Sequence, residues 1–281
     1  TMTNQLAIKT HTQAGDEVIC EELSHVYQYE GGGIASNSGC SVKLLQGNRG
    51  RITASQVLGA IHPEDVHKPI SRLISLENTC NRGGGACYDF KEFEEIQKIA
   101  KTHHLGLHLD GARIFNAIVH KKEDSKKYGQ VFDSISICLS KGLGAPVGSV
   151  LVGNAAFIKK ARRWRKVFGG GMRQAGILAA AGELALTAQV ERLADDHQNA
   201  AYLAQQLSLL DEFEIDLPSV QTNMVFATLA SHIDEQALAQ RCRNEGILIS
   251  PGRTIRFVTH KDISRQDIDK VLRVFKLHLQ S

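Results

Sequence analysis

From residue 16 to residue 153, short apolar runs alternate with stretches of helical periodicity. DEVICEE (16–22), RLISLEN (72–78), LGLHLDGAR (105–113) and DSISICLSK (133–141) read as strands leading into loops. Between the second and third runs, Phe90, Phe93, Ile96, Ile99 and Ala100 form an apolar stripe at helical spacing. They predict a helix from Tyr88 to His104, with Asp89 and Glu92 at capping-box spacing. Strand, helix, strand in this rhythm predicts an α/β domain with a mostly parallel sheet. FDSISICLSKGLGAPVGSVLVG (132–153) is apolar or small like a buried strand, yet carries Lys141 in its middle.

Further along, Ala175 to Ala188, rich in Ala and Leu, reads as a buried helix. Val190 to Leu209 reads as a longer helix bridging to a second domain. Beyond Pro218 the pattern becomes a small α+β unit. TNMVFATL (222–229), ILIS (247–250) and TIRFVTH (254–260) are its expected strands. IDEQALAQRCRNEG (233–246) is a helix closed by Gly246, and Ser264 caps a last helix with Asp267 at the third position. The expected domains are therefore 1–188 and 189–281.

Composition narrows the function classes. The 281 residues are 42% hydrophobic and 22% charged, with a net charge of +3 too small and dispersed to argue for nucleic acid. The basic run KKARRWRK (159–166) fits a solvated helix face or an interface better than a binding patch. No apolar run approaches the roughly 20 residues of a membrane helix. The six cysteines, Cys20, Cys40, Cys80, Cys87, Cys138 and Cys242, follow no repeated spacing. Most read as free thiols in a reducing cytosol, not as a disulfide framework or a zinc site.

Three chemical candidates stand at the carboxyl ends of expected strands: Glu77-Asn78, Asp110 to Arg113, and Ser140-Lys141. Ligands of open α/β sheets bind there. Each alone is ordinary: an Asp after a strand usually caps a turn, and a Lys is usually on the surface. Together they set a carboxylate, a guanidinium and an ammonium around one crevice. A lysine at the end of a buried strand is desolvated, which favours its neutral amine and suits it to Schiff-base chemistry. Pyridoxal phosphate needs such a lysine, and an acidic group against its pyridine nitrogen. Asp110 precedes Lys141 by 31 residues, about one strand–helix–strand unit.

HLDGAR followed by SICLSKGLGAPVGS resembles the L-threonine aldolases, fold type I pyridoxal phosphate enzymes. The resemblance covers most of the chain. TMTNQLA is similar to the family's phosphate segment, and QAGDEVI with SHVYQYEGGG to its aromatic-rich cofactor segment. SLENT, GGGMRQAG and RFVTHKDIS match further landmarks in order.

The resemblance implies a large cofactor domain and a small C-terminal α+β domain. It makes Lys141 the Schiff-base lysine and Asp110 the partner of the pyridine nitrogen. His25 would stack on the ring and act in proton transfer. Arg113 would contact the cofactor oxygen or the substrate carboxylate, and Arg256 would clamp that carboxylate. Thr1 would bind phosphate, Glu30 would hold a catalytic water, and Arg173 in the Gly-rich loop would face an active site near a subunit boundary. The implied reaction is retro-aldol cleavage of L-threonine or L-allo-threonine to glycine and acetaldehyde, through an external aldimine that displaces Lys141. A cytoplasmic homotetramer is implied as well.

Two departures from the family pattern matter. Cys80 stands where relatives often carry a His that handles the β-hydroxyl, so the base passes to His25, to a water on Glu30 or to the cofactor phosphate. The chain also starts inside the phosphate segment, whereas the family carries a further arm before it. Two alternatives stay open: a related lyase that eliminates a β-substituent, and a catalytically silent scaffold.

Overall fold

A computed structural model describes residues 1–279; Gln280 and Ser281, which the expected second domain includes, lie outside the described residues. The chain divides into two compact units, Thr1–Val190 and Glu191–Ser281.

The first unit is built on β1 (Asp16–Glu21), β2 (Ser41–Leu45), β3 (Ile70–Glu77), β4 (Gly106–Gly111), β5 (Ser134–Cys138) and β6 (Ser149–Gly153). They form one sheet in the order β2-β1-β3-β4-β5-β6, parallel throughout except for β6. The four strands read from the sequence are β1, β3, β4 and β5. The parallel sheet centre explains why they are largely buried on both faces, although β4 and β5 set His108, Asp110, Ser134 and Ser136 in alternation with Leu and Ile. The fold is α/β, as the rhythm of the sequence predicts.

The strand expected over 133–141 stops short of Lys141, and the 132–153 stretch holds a second strand after it. β5 ends at Cys138, the chain turns through Lys141, and β6 returns antiparallel. Lys141 therefore lies three residues beyond the strand and is exposed. The desolvated strand-end setting expected of it is not what the chain folds into. The reason is the turn itself: Gly144 N donates to Lys141 O, and Ala145 N to Leu139 O, which lifts the 140–144 segment off the sheet.

Helix Phe90–Thr102 packs against the sheet through Phe93, Ile96 and Ala100. Phe93 sits among Tyr88, Phe132 and Tyr128, at ring-centroid distances of 4.7, 5.0 and 5.9 Å. Its Asp89 cap is present, accepting from Lys91 N, but the expected capping box with Glu92 is not. Glu92 instead accepts from Ala54 N at 2.5 Å, tying this helix to the start of helix Ala54–Ala60. That second helix carries the capping box, formed by Thr53 and Gln56.

Helix Met2–His11, read from sequence only as a phosphate segment, buries Asn4, Gln5, Leu6, Ala7 and Ile8. Helix Ala155–Val167 buries Phe157 and Ala161 and leaves most of its basic residues exposed, in line with a solvated face. Helix Gly176–Ala188 is where expected but is not buried within this chain: Ile177 is 85% and Leu184 60% exposed. Among its residues only Gly182 and Ala185 are buried.

The second unit pairs β7 (Phe213–Glu214), β8 (Met224–Leu229) and β9 (Thr254–Val258) in one antiparallel sheet. Helices Leu193–Leu207, Glu235–Asn244 and Arg265–Leu279 cover it, around Leu207, Cys242, Ile255 and Phe275. Gly246 closes the middle helix at φ +75°, and Ser264 and Asp267 exchange hydrogen bonds at the start of the last. ILIS (247–250) is not a strand. Ile247 N is drawn back to Cys242 O as part of the helix end, and Leu248 is 75% exposed with no sheet edge to join.

One glycine decides how closely β4 and β5 approach. A Cβ on Gly111 would lie 2.9 Å from Ser136 O and 3.1 Å from Ile114 Cβ. Gly111→Ala should therefore destabilise the protein by about 1–3 kcal/mol, the usual cost of overpacking a tight site. A lower midpoint of urea unfolding at unchanged slope is the expected result.

Candidate active site

The carboxyl ends of β3 and β4 carry two carboxylates in register, Glu77 and Asp110. Two residues earlier on the same face, His108 pairs in register with Ser134 of β5. Helix Met2–His11 lies over this face and inserts Asn4 between the groups. Asn4 Nδ2 donates to Asp110 Oδ2 and to Glu30 Oε1, both at 2.9 Å. Asn4 Oδ1 meets His108 Nε2 at 3.1 Å. His108 Nδ1 lies 2.9 Å from Ser134 Oγ, and His11 Nε2 lies 2.8 Å from the same oxygen.

His25 opens the short helix His25–Gln28, at a bend where its backbone N–H donates to Glu77 Oε2. Its Nδ1 is 3.2 Å from Glu30 Oε1, and its ring is partly exposed. Glu30 is fully enclosed and also accepts from Gln5 Nε2 at 2.6 Å. Ligand atoms of His25, Glu30 and Asp110 lie within 4.8 Å of one another, a spacing a metal ion could bridge. The amide of Asn4 already donates to the oxygens of Glu30 and Asp110 that face each other, so a cation there would meet amide protons.

The electrostatics follow from burial and these bonds. Burial, then the neighbouring Glu30 charge, pushes the Asp110 carboxyl above its usual range, while Lys141, His25 and the Asn4 bond pull it back. Burial also pushes Glu30 upward, but hydrogen bonds from His25, Gln5 and Asn4 outweigh it and hold Glu30 below its usual range. The bond to Glu30 is the main cause that raises His25, opposed by partial burial. Glu77 is pushed up by burial and then by Asp110.

The other expected residues fall as follows. Arg113 lies just past β4, partly buried, and donates to Asn81 Oδ1 at 3.3 Å. Lys141, Arg113 and Cys138 line one small cavity. Thr1 is exposed at the N-terminus of helix Met2–His11, and Arg173 is exposed in the loop before helix Gly176–Ala188. Arg256 is exposed on β9 of the second unit. Cys80 is buried with Sγ on Glu77 O and Gly50 O, at 3.0 and 3.3 Å, and burial raises its thiol well above the ordinary value. A thiol so placed is not a base near neutral pH.

Sequence reasoning assigned no role to Asn4, Gln5 or His108. Asn4 is the last position of the TMTN segment, and His108 stands two residues before Asp110, hence on the same strand face. That two-residue spacing was the available signal for His108.

A family model described as beta-eliminating lyase matches residues 1–230. The chain belongs to that family. A member from Escherichia coli (strain K12), a low specificity L-threonine aldolase, is 41% identical over 272 residues, spanning 96% of this chain and 80% of that one. The low specificity L-threonine aldolase of Saccharomyces cerevisiae is 36% identical over 277 residues, 96% of this chain and 70% of that one. Among solved structures, a threonine aldolase from Leishmania major superposes with a TM-score of 0.83 at 24% identity, covering 98% of this chain and 81% of that one. It shares the fold type I architecture expected from the sequence.

His108 carries a pH signature in this family member. Burial, then the neighbouring His11, holds its imidazole down at about 3, against 6.5 when unperturbed. Between those values the unfolded chain binds a proton that the folded chain does not. Folding stability contributed by this group is therefore present above pH 6.5 and lost as pH falls toward 3. His108→Gln should show a shallower loss of stability between pH 6.5 and pH 4 than the parent, measured by urea unfolding at each pH.

Proposed function

We propose that this protein is a pyridoxal-phosphate-dependent aldolase that cleaves L-threonine or L-allo-threonine to glycine and acetaldehyde. The observation that carries the reading is the hydrogen-bonded group of His25, Glu30 and Asp110 at the strand ends. Its chain is about two-fifths identical to aldolases over nearly its whole length. The residues fit the cofactor: Lys141 offers an amine to hold it, Asp110 a buried carboxylate for its pyridine nitrogen, and His25 a ring face to stack on. Thr1 and the amides of the first helical turn suit its phosphate. Pyridoxal phosphate supplies an electron sink for the charge left when a bond at Cα breaks.

The chain's own residues do the rest. Arg113 orients the substrate carboxylate, since a guanidinium can grip both oxygens. His25 takes the β-hydroxyl proton at Nε2, because Nδ1 is engaged by Glu30. Glu30 is a carboxylate that steadies the imidazole and the charge it gains. Burial excludes water from Asp110 and strengthens its field. Cys80 takes no part in proton transfer.

His25→Asn should lower kcat by about 10²- to 10⁴-fold, the usual contribution of a placed proton acceptor. Because Glu30 raises His25, the basic form of His25 appears as pH rises. Glu30→Gln should therefore move the rising limb of the kcat/KM profile to lower pH. Release of glycine and acetaldehyde from threonine, lost in Lys141→Ala together with the bound cofactor's visible band, is the deciding assay. The family description favours β-elimination as the second reading. Pyruvate and ammonia in place of glycine would establish it, and a chain that holds no pyridoxal phosphate would establish a silent scaffold.

We place the protein in the cytoplasm as a homotetramer. Six free cysteines support the first point. No helix among the described residues is long and apolar enough to cross a membrane. Ile177 and Leu184, apolar and exposed on helix Gly176–Ala188, support assembly. Ile177→Glu with Leu184→Glu should reduce the mass seen by sedimentation from four chains to fewer.

A further inference from the structure

The carboxylates of Glu30 and Asp110 share a single amide. Each takes one proton of the Asn4 Nδ2 group at 2.9 Å. Both carboxylates are buried, so each bond replaces water that neither can reach. The amide must keep its nitrogen toward them, because the reverse orientation would set Oδ1 against two acceptors. What holds it is His108, whose Nε2 faces Asn4 Oδ1 at 3.1 Å. That contact is attractive only if Nε2 carries the ring proton. Nδ1 then accepts from Ser134 Oγ at 2.9 Å, and Ser134 Oγ accepts from His11 Nε2 at 2.8 Å. Every donor in this row points toward the two carboxylates. Bonds aligned this way polarise one another and strengthen the last one.

One contact competes. His108 Nδ1 also lies 3.2 Å from Ser134 O, which would suit the opposite tautomer. That tautomer would leave a bare Nε2 against Asn4 Oδ1 and release the amide from its orientation. Burial keeps the imidazole neutral, so it has one proton to place.

We propose that Asn4 and His108 are positioning residues for the aldolase reaction: His108, in its Nε2–H form, fixes the Asn4 amide, and the amide ties Asp110 and Glu30 into one pair. The side of the site that meets the pyridine nitrogen and the side that holds His25 are thereby coupled through one side chain. The consequence for the reaction rests on the proposed cofactor; the tautomer and the pairing do not.

Two measurements test it. Nitrogen-15 NMR of the imidazoles in the wild-type protein should report His108 as the Nε2–H tautomer, whether or not cofactor is added; an Nδ1–H tautomer overturns the proposal. Pyridoxal phosphate affinity, read by fluorescence titration, should fall about tenfold or more in Asn4→Ala, which leaves the buried carboxylates short of a donor, and in His108→Leu, which frees the amide to turn its oxygen toward them. His108→Gln, whose amide can donate from the Nε2 position, should stay within about threefold of the parent. A Leu variant that binds as well as the Gln variant, or an Asn4→Ala that binds as well as the parent, shows that packing alone matters and overturns the proposal. If the variants do not fold, as circular dichroism would reveal, the tautomer measurement on the wild type decides. A wild-type chain that shows the Nε2–H tautomer but binds no pyridoxal phosphate would sink the cofactor reading and leave the pairing standing.

Discussion

Two buried carboxylates held side by side are the constraint around which the first unit is arranged. Both are buried, and the Glu30 charge adds to the cost of ionising Asp110. Left alone they would neutralise. The helix at the start of the chain opposes this by delivering Asn4 and Gln5 into the gap. Its buried face carries two amides among Leu6, Ala7 and Ile8, an arrangement that makes little sense for packing alone. It makes sense as the donor side of an acceptor pair.

The parallel sheet supplies the rest of the geometry. Parallel register sets Glu77 beside Asp110 and Ser75 beside His108, on strands that end together. Helical crossovers keep both faces dry, which is what makes each unpaired charge costly and each amide bond worth more. Lys141 is treated differently. It rides on the turn between β5 and the one antiparallel strand, exposed and outside the sheet.

Much of this was legible in the residues. The four central strands, the long amphipathic helix after Tyr88 and the last two caps follow from periodicity and side-chain chemistry that act within a few residues. The candidates Asp110, Arg113 and Lys141 stood out because charges interrupt apolar runs. What misled was equally local. Glu92 sat at the right spacing to cap its own helix, yet a free amide on a distant helix, Ala54 N, took it. DSISICLSK was read as a strand out to Lys141, yet the strand stops at Cys138, because the residues after it turn back into the exposed antiparallel β6. ILIS had strand-like residues but no edge to pair with. Helix Gly176–Ala188 had the composition of a core helix and an exposed face within this chain.

The sequence by itself determined the class of the fold, the positions of its central strands and the residue types able to do amine and carboxylate chemistry, because these depend on short-range pattern. The tertiary structure alone decided which groups meet. Asn4 reaches Asp110 across 106 residues and His108 across 104, and Glu30 meets His25 only because a tight turn folds them together. Hydrogen bonds of this kind are set by distance and direction in space, and no periodicity along the chain records them.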